Sequence, residues 1–222
     1  MGVLILIRHG QSQWNLENRF AGWTDIPLTD RGREDAGKAA AALASHRFNR
    51  AFTSKLNRAS ETLSIILQAL KQTGIPIEAD AALNERHYGD LQGLNKAETA
   101  EKFGKEQVQL WRRSYATRPP NGESMEDCEK RTLPYYLTKI FPHVVRGETV
   151  LVAAHGNSLR PIIKYLDTLE PEAAATLEIG LCTPYVYTFE GEKLLKKEIV
   201  SVPGIVTQGA SITEKSVKEG RV

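Results

Sequence analysis

Two short apolar runs constrain this fold more than anything else in the chain: "VLILI" at residues 3–7 and "VLVAA" at 150–154. Each is too short for a buried helix and has no polar residue to turn toward water, so each reads as a strand covered on both faces. Between them lie segments of helical period. "LTDRGREDAGKAAAALASH" (28–46) predicts a helix capped by Thr29 or Asp30, with Ala36, Ala39, Ala40 and Leu43 inward. "RAFTS" (50–54) is a further short strand. It runs into a helix carrying Leu56, Ala59, Leu63, Ile66, Leu67 and Leu70, which ends near Gly74. Residues 96–113 read as helical with an interruption at Gly104, and 124–140 as helical with a kink or break at Pro134. "NSLRPIIKYLD" opens a helix with Asn157 or Ser158 as cap and Leu159, Ile162, Ile163 and Leu166 inward. "YVYTF" and "LLKKEIV", joined by "EGEK", read as a hairpin. Strands alternating with helices predict an α/β fold, a three-layer α/β/α sandwich whose central sheet is mostly parallel with an antiparallel edge. No linker divides the chain, so residues 1–200 are expected to form one catalytic domain. Residues 201–222 lack a period and are expected to form a mobile tail.

At 222 residues the chain can bury a substantial core without staples. Its net charge of +2, from 29 basic and 27 acidic residues, is too balanced for a nucleic-acid or membrane-surface binder. Any anion site must therefore be local. Cys128 and Cys182 form no CxxC pair, which indicates neither a disulfide framework nor a zinc site and fits a reducing, cytoplasmic location. The apolar start "MGVLILI" lacks a basic n-region and is cut short by Arg8, so it reads as a strand and not a signal peptide or span. Gly2 does not make a myristoylation motif, because Leu6 stands where Ser or Thr is needed.

In an open α/β sheet, ligands bind beyond the carboxyl ends of the strands. Here "RHGQS" follows the first apolar run, "HGNS" follows the second, and Arg58 lies just past "AFTS". If those strands are neighbours, Arg8, His9, Arg58 and His155 meet at one edge. One histidine after a strand is ordinarily a turn residue, but two, each followed by glycine and a serine cap, point to a shared site. Arginine ligates no metal and repels cations, so a metal centre is not expected there. A phosphate fits. A largely neutral imidazole can attack phosphorus while arginines neutralise the outer oxygens, and helix starts add N–H donors. No Gly-x-x-x-x-Gly-Lys loop is present, so a nucleoside triphosphate is not the expected donor.

The segments "RHGQSQWN", "AGWTDIPLTDRG", "TSKLNRASET", "LNERHYGDLQGLNKAETAEKFG", "LWRRSY" and "AAHGNSLRPIIKYL" resemble, in unbroken order, the cofactor-dependent phosphoglycerate mutases of the histidine phosphatase superfamily. The most specific part is the block from Glu85 to Lys96 with the Arg112–Arg113 pair, which simple phosphatases of the fold generally lack. The resemblance implies that His9 is the nucleophile, that Arg8, Arg58 and His155 surround the transferred phosphoryl group, and that Glu85 exchanges a proton with the substrate hydroxyl. That role asks for a carboxyl protonated part of the time near neutral pH, which nearby phosphate would favour. Ser12, Asn15, Ala21, Gly22, Arg86, His87, Tyr88, Lys96, Arg112, Arg113, Gly156 and Asn157 are implied to bind substrate. The implied partners are small phosphoglycerates, with 2,3-bisphosphoglycerate as the priming cofactor, no metal, and a homo-oligomer left open.

Some positions depart from the family's pattern. Ala21 replaces the usual Thr, Ser or Cys before Gly-Trp, and "GLC" at 180–182 replaces Pro-Thr-Gly, which puts the loop geometry there in question. Two other functions are weighed against the mutase. One is a phosphatase of the same fold, which would not need the Glu85–Lys96 block. The other is a non-catalytic relative, which should have lost one of Arg8, His9, Arg58, Glu85 or His155.

Overall fold

The computed structural model describes residues 1–205 and centres on a six-stranded sheet. The strands are β1 (Gly2–Arg8), β2 (Arg50–Thr53), β3 (Ile77–Ala79), β4 (Thr149–Ala154), β5 (Pro184–Glu190) and β6 (Lys193–Ile199), ordered β3-β2-β4-β1-β5-β6. The pairings from β3 across to β1 are parallel, and those of β5 with β1 and with β6 are antiparallel. The mostly parallel sheet with an antiparallel hairpin edge is the architecture the sequence predicts.

The alternation within the central strands divides the core. Leu4, Leu6, Val150 and Val152 face α8 (Gly156–Asp167) and the segment 136–144, where Leu159, Ile162, Ile163, Tyr136 and Ile140 meet them. Ile5, Ile7, Leu151 and Ala153 face α2 (Asp30–Ala42) and α3 (Asn57–Ala69), meeting Ala36, Ala39, Ala40, Leu63, Ile66 and Leu67. Successive residues thus serve opposite helical layers, which is why these runs contain no polar position. A third, smaller cluster of Phe20, Leu91, Val108 and Trp111 packs α4 (Lys96–Phe103) and α5 (Lys105–Arg113) over the strand ends. Gly104, with φ of 87°, separates α4 from α5 at the predicted interruption.

The register sets up the site. Ile7 and Thr53 both align with Ala153, so the chain leaves β1, β4 and β2 side by side.

Several local expectations change. Thr29 caps α2, its hydroxyl accepting the Gly32 N–H at 3.0 Å. The cap of α8 is His155 and not Asn157 or Ser158: the Ser158 hydroxyl accepts the His155 N–H at 3.2 Å, and the helix begins at Gly156. The α6 helix (Met125–Tyr135) runs through Pro134 without breaking; a wide turn follows at Tyr136–Ile140, where the Thr138 hydroxyl donates to the Pro134 carbonyl at 2.7 Å. The short elements α1 (Gln13–Leu16), α7 (Phe141–Val145), α9 (Pro171–Thr176) and β3 are too brief to show a period. Of the expected tail, residues 201–205 are anchored: Val202 is buried, and the Gly204 carbonyl accepts from Arg31 at 3.0 Å. The remainder lies outside the described residues.

Candidate active site

His9 leaves β1 into a buried position, and its Nδ1 lies 2.7 Å from the Gly10 carbonyl oxygen. A carbonyl only accepts, so Nδ1 carries the hydrogen and Nε2 keeps its lone pair. His155 is also buried, its ring centre 5.0 Å from that of His9. Its Nε2 stands 2.7 Å from the Ser54 hydroxyl at the end of β2, and that hydroxyl already accepts the Leu56 N–H at 3.2 Å. When the Ser54 hydroxyl donates to Nε2, the His155 hydrogen lies on Nδ1, which has no protein partner. Burial, reinforced by the charges of Arg58 and Arg8, holds both imidazoles well below their ordinary value, so both are neutral at pH 7.

The two arginines are held by carbonyls. Arg8 donates to the Ile179 oxygen at 2.9 Å, and Arg58, at the first turn of α3, donates to Thr24 at 2.9 Å and Gly22 at 2.7 Å. Burial lowers Arg58 to about 10, which leaves it charged at neutral pH. The Nε atoms of Arg8 and Arg58 are buried without partners, as is His155 Nδ1. Buried donors are rarely left unpaired. Here two of them belong to arginines that line one cavity with His9, and the third to the ring packed 5.0 Å from it.

Glu85 reaches the same place from the loop after β3. Its Oε1 accepts the N–H of Arg86 at 2.8 Å and of Asn157 at 3.1 Å, leaving Oε2 to handle a proton. Burial pushes the carboxyl up, but those two N–H groups and the charges of Arg58 and Arg8 outweigh it. The protein's own groups therefore keep Glu85 ionised; the raised value expected for it is tied to bound phosphate. That value now depends on phosphate alone. The loop is fixed by Arg131 of α6, which donates to the carbonyls of Ala82 at 2.8 Å, Asn84 at 3.0 Å and Glu85 at 3.0 Å while paired to Glu123 at 2.9 Å. The Trp23 indole N–H donates to the same Glu85 carbonyl at 2.5 Å.

Arg8, His9, Arg58 and Glu85 line a cavity of about 180 Å³, whereas His155 is fully buried beside His9 and is not part of its wall. That volume suits a small ligand. Asn15, Ala21, Gly22, Tyr88, Lys96, Arg112, Arg113, Gly156 and Asn157 line it, as expected. Three of the expected contacts do not. Ser12 is fully buried, capping α1 and bonded to Asn15. Arg86 lies beneath the cavity, 4.6 Å from the Tyr88 ring centre, and donates to the carbonyls of Trp111 at 2.9 Å and Arg112 at 3.2 Å; it positions the end of α5. His87 packs edge-on against Trp23, and its Nδ1 accepts the Gly89 N–H at 3.0 Å.

The sequence reading missed Arg19, Phe20, Arg160 and Glu178, which also line the cavity. Arg160 sits one turn after Asn157 on α8 and donates to its side-chain oxygen at 2.6 Å, a spacing that could have singled it out; Arg19 and Glu178 lie in loops without a signal. With them the wall carries seven Arg or Lys side chains against two carboxylates, a surplus that suits a ligand with several negative charges. Gly10 serves packing: a Cβ there would come within 2.3 Å of the Gly32 carbonyl oxygen. The questioned "GLC" stretch holds Arg8 from behind, with the Cys182 N–H 3.0 Å from the Arg8 carbonyl oxygen. Among the described residues, no group of three or more His, Cys, Asp or Glu is placed to hold a metal ion.

The sequence profile of the histidine phosphatase superfamily, branch 1, matches residues 4–200. A protein of Gloeobacter violaceus named 2,3-bisphosphoglycerate-dependent phosphoglycerate mutase 2 is 52% identical over 192 residues, 86% of this chain and 88% of its own. A mutase of Afipia carboxidovorans with the same cofactor in its name is 48% identical, over 88% and 96% of the two chains. The solved structure of Bacillus stearothermophilus YhfR is similar with a TM-score of 0.77 at 29% identity, covering 92% of this chain and 97% of that one. The α-ribazole phosphatase of Shigella flexneri shares the fold at 22% identity with a TM-score of 0.77, over 90% and 96% of the chains. The chain belongs to the histidine phosphatase superfamily, branch 1, and within it to the 2,3-bisphosphoglycerate-dependent phosphoglycerate mutases.

Proposed function

We propose that this protein interconverts 3-phosphoglycerate and 2-phosphoglycerate through a phosphohistidine on His9. One observation carries the reading: a neutral His9 whose Nε2 is free shares one cavity with Arg8 and Arg58, whose Nε atoms have no partner, and the His155 ring, its Nδ1 also unpartnered, lies 5.0 Å from that of His9. A phosphoryl group satisfies all three, so the residues fit the priming cofactor as well as the substrate. When bound, 2,3-bisphosphoglycerate supplies the phosphoryl group that readies His9.

The residues then divide the work. Arg8 and Arg58 neutralise the outer phosphoryl oxygens, and His155 donates its Nδ1 hydrogen to charge that builds in transfer. As the substrate hydroxyl attacks phosphorus and the bond to His9 Nε2 breaks, Glu85 Oε2 takes the hydroxyl proton. On return, His9 Nε2 takes the other phosphate and Glu85 gives the proton back to the freed oxygen. The ionised Glu85 of the protein alone is the acceptor state this first step needs. Lys96, Arg112 and Arg113 face the cavity from α4 and α5, where they can hold the acid's carboxylate and second phosphate. The match over residues 4–200 supports one catalytic domain, and the glycolytic chemistry of the substrates supports a cytoplasmic location.

The test supplies 3-phosphoglycerate with and without a trace of 2,3-bisphosphoglycerate and follows 2-phosphoglycerate and free phosphate together. The mutase predicts isomerisation that outruns phosphate release and depends on the trace. Dominant phosphate release would replace it with the phosphatase, and no turnover of either kind with a non-catalytic protein.

A further inference from the structure

A pocket built for a polyanion holds a carboxylate that its chemistry does not use. Glu178 lines the cavity, yet proton transfer already belongs to Glu85. Its carboxylate pairs with Arg113 at the end of α5, one of the cations meant for the substrate. The backbone under it is held at three consecutive carbonyls: Leu177 accepts from Arg160 at 2.8 Å, Glu178 from the Tyr185 hydroxyl at 3.4 Å, and Ile179 from Arg8 at 2.9 Å. Two of those three donors are themselves cations of the cavity wall. A loop fixed by the binding site thus aims a negative charge at the binding site.

We propose that Glu178 is a specificity-determining residue: a resident counter-ion that occupies Arg113 and is displaced when the ligand's second anionic group arrives. The inference rests on the mutase reading, because a phosphomonoester with no second anionic group has nothing to send to Arg113. A ligand that displaces Glu178 exchanges one charged bond for another and leaves a like charge beside itself, so affinity is held down. This matters for an enzyme whose doubly phosphorylated ligand must turn within the pocket and leave it. The competition acts on ground state and transition state alike, and therefore on KM and Kd.

The experiment compares wild type, Glu178→Gln, Glu178→Ala, Arg113→Gln and the Glu178→Gln/Arg113→Gln pair. It measures Kd for 2,3-bisphosphoglycerate and for pyrophosphate by calorimetry, KM for 3-phosphoglycerate, and Tm. Both Glu178 variants are expected to bind the two polyanions about three- to tenfold more tightly at low salt, with the gain shrinking as ionic strength rises. Arg113→Gln is expected to cost more affinity in the Glu178→Gln background than in wild type. A pair that merely ties α5 to the loop would give weaker binding and a lower Tm on loss of Glu178, and that result overturns the proposal, as does unchanged affinity. If wild type fails to isomerise, the mutase reading falls while the pyrophosphate titration still decides the role of Glu178.

Discussion

His9 and His155 show how little separates the nucleophile proposed for this site from its proposed helper. Both are neutral and buried, and what differs is which nitrogen a neighbour engages: Gly10 takes Nδ1 of His9, and Ser54 takes Nε2 of His155. Replacing His9 with Ala should abolish both phosphoenzyme labelling by 2,3-bisphosphoglycerate and isomerisation; labelling that survives would move the nucleophile elsewhere. The depressed pKa values also fix a pH window. Each imidazole has a folded pKa below the unfolded value near 6.5, so stability is full above that pH and is lost as pH falls through it toward the folded value. The loss should approach about 1.4 kcal/mol per pH unit for each ring. Urea unfolding of wild type and His9→Gln at pH 7.5 and 5.5 checks this; the variant should lose less on acidification, and an equal loss counts against it.

At the scale of elements, the site depends on short contacts between loops and helix starts. Gly10 sits against the backbone of Gly32 in the first turn of α2, and the hydroxyl of Thr62 on α3 accepts the Gly10 N–H at 3.0 Å. Gly10→Ala should therefore cost roughly 1–3 kcal/mol through overpacking and lower activity by moving His9, which thermal melting and the coupled assay would show together. The Glu85 loop has little regular structure and borrows its rigidity from α6. Arg131→Met removes every guanidinium bond to the carbonyls of Ala82, Asn84 and Glu85. It should lower kcat about 10²-fold or more, within the range for misplacing an acid–base group. Labelling of His9 by 2,3-bisphosphoglycerate should slow with kcat, because the proposed mechanism also uses Glu85 to return a proton to the leaving oxygen. Unchanged kcat would show that the loop holds itself.

In the whole molecule, a sheet with helices on both faces buries the central strands completely. Leu6 is inaccessible to solvent, packed in the cluster with Val152 and Leu159. Leu6→Ala should destabilise by about 2–5 kcal/mol, and chemical unfolding at neutral pH measures it. The charge distribution works at the same scale. A chain with net charge of only +2 concentrates seven cationic side chains around one small cavity, so its field is local to the strand ends. The rest of the surface stays balanced.

Much of this was legible before any coordinates. The uninterrupted runs at 3–7 and 150–154 determined buried strands, the 3.6-residue spacing determined α2, α3 and α8, and "RHG" and "HGN" marked the ligand edge, because apolar periodicity and strand-end chemistry are local properties of sequence. The resemblance supplied the role of Glu85, which spacing alone left as a loop carboxylate. Tertiary structure decided the rest. It sent Arg86 under the site and Ser12 into a helix cap, and it brought Arg160, Arg19 and Glu178 to the wall. It also set which groups of the protein itself hold the Glu85 carboxyl ionised. Whether a charged side chain meets the ligand, and how easily it holds its proton, depends on which distant carbonyls, N–H groups and charges surround it, and the chain order does not contain those neighbours.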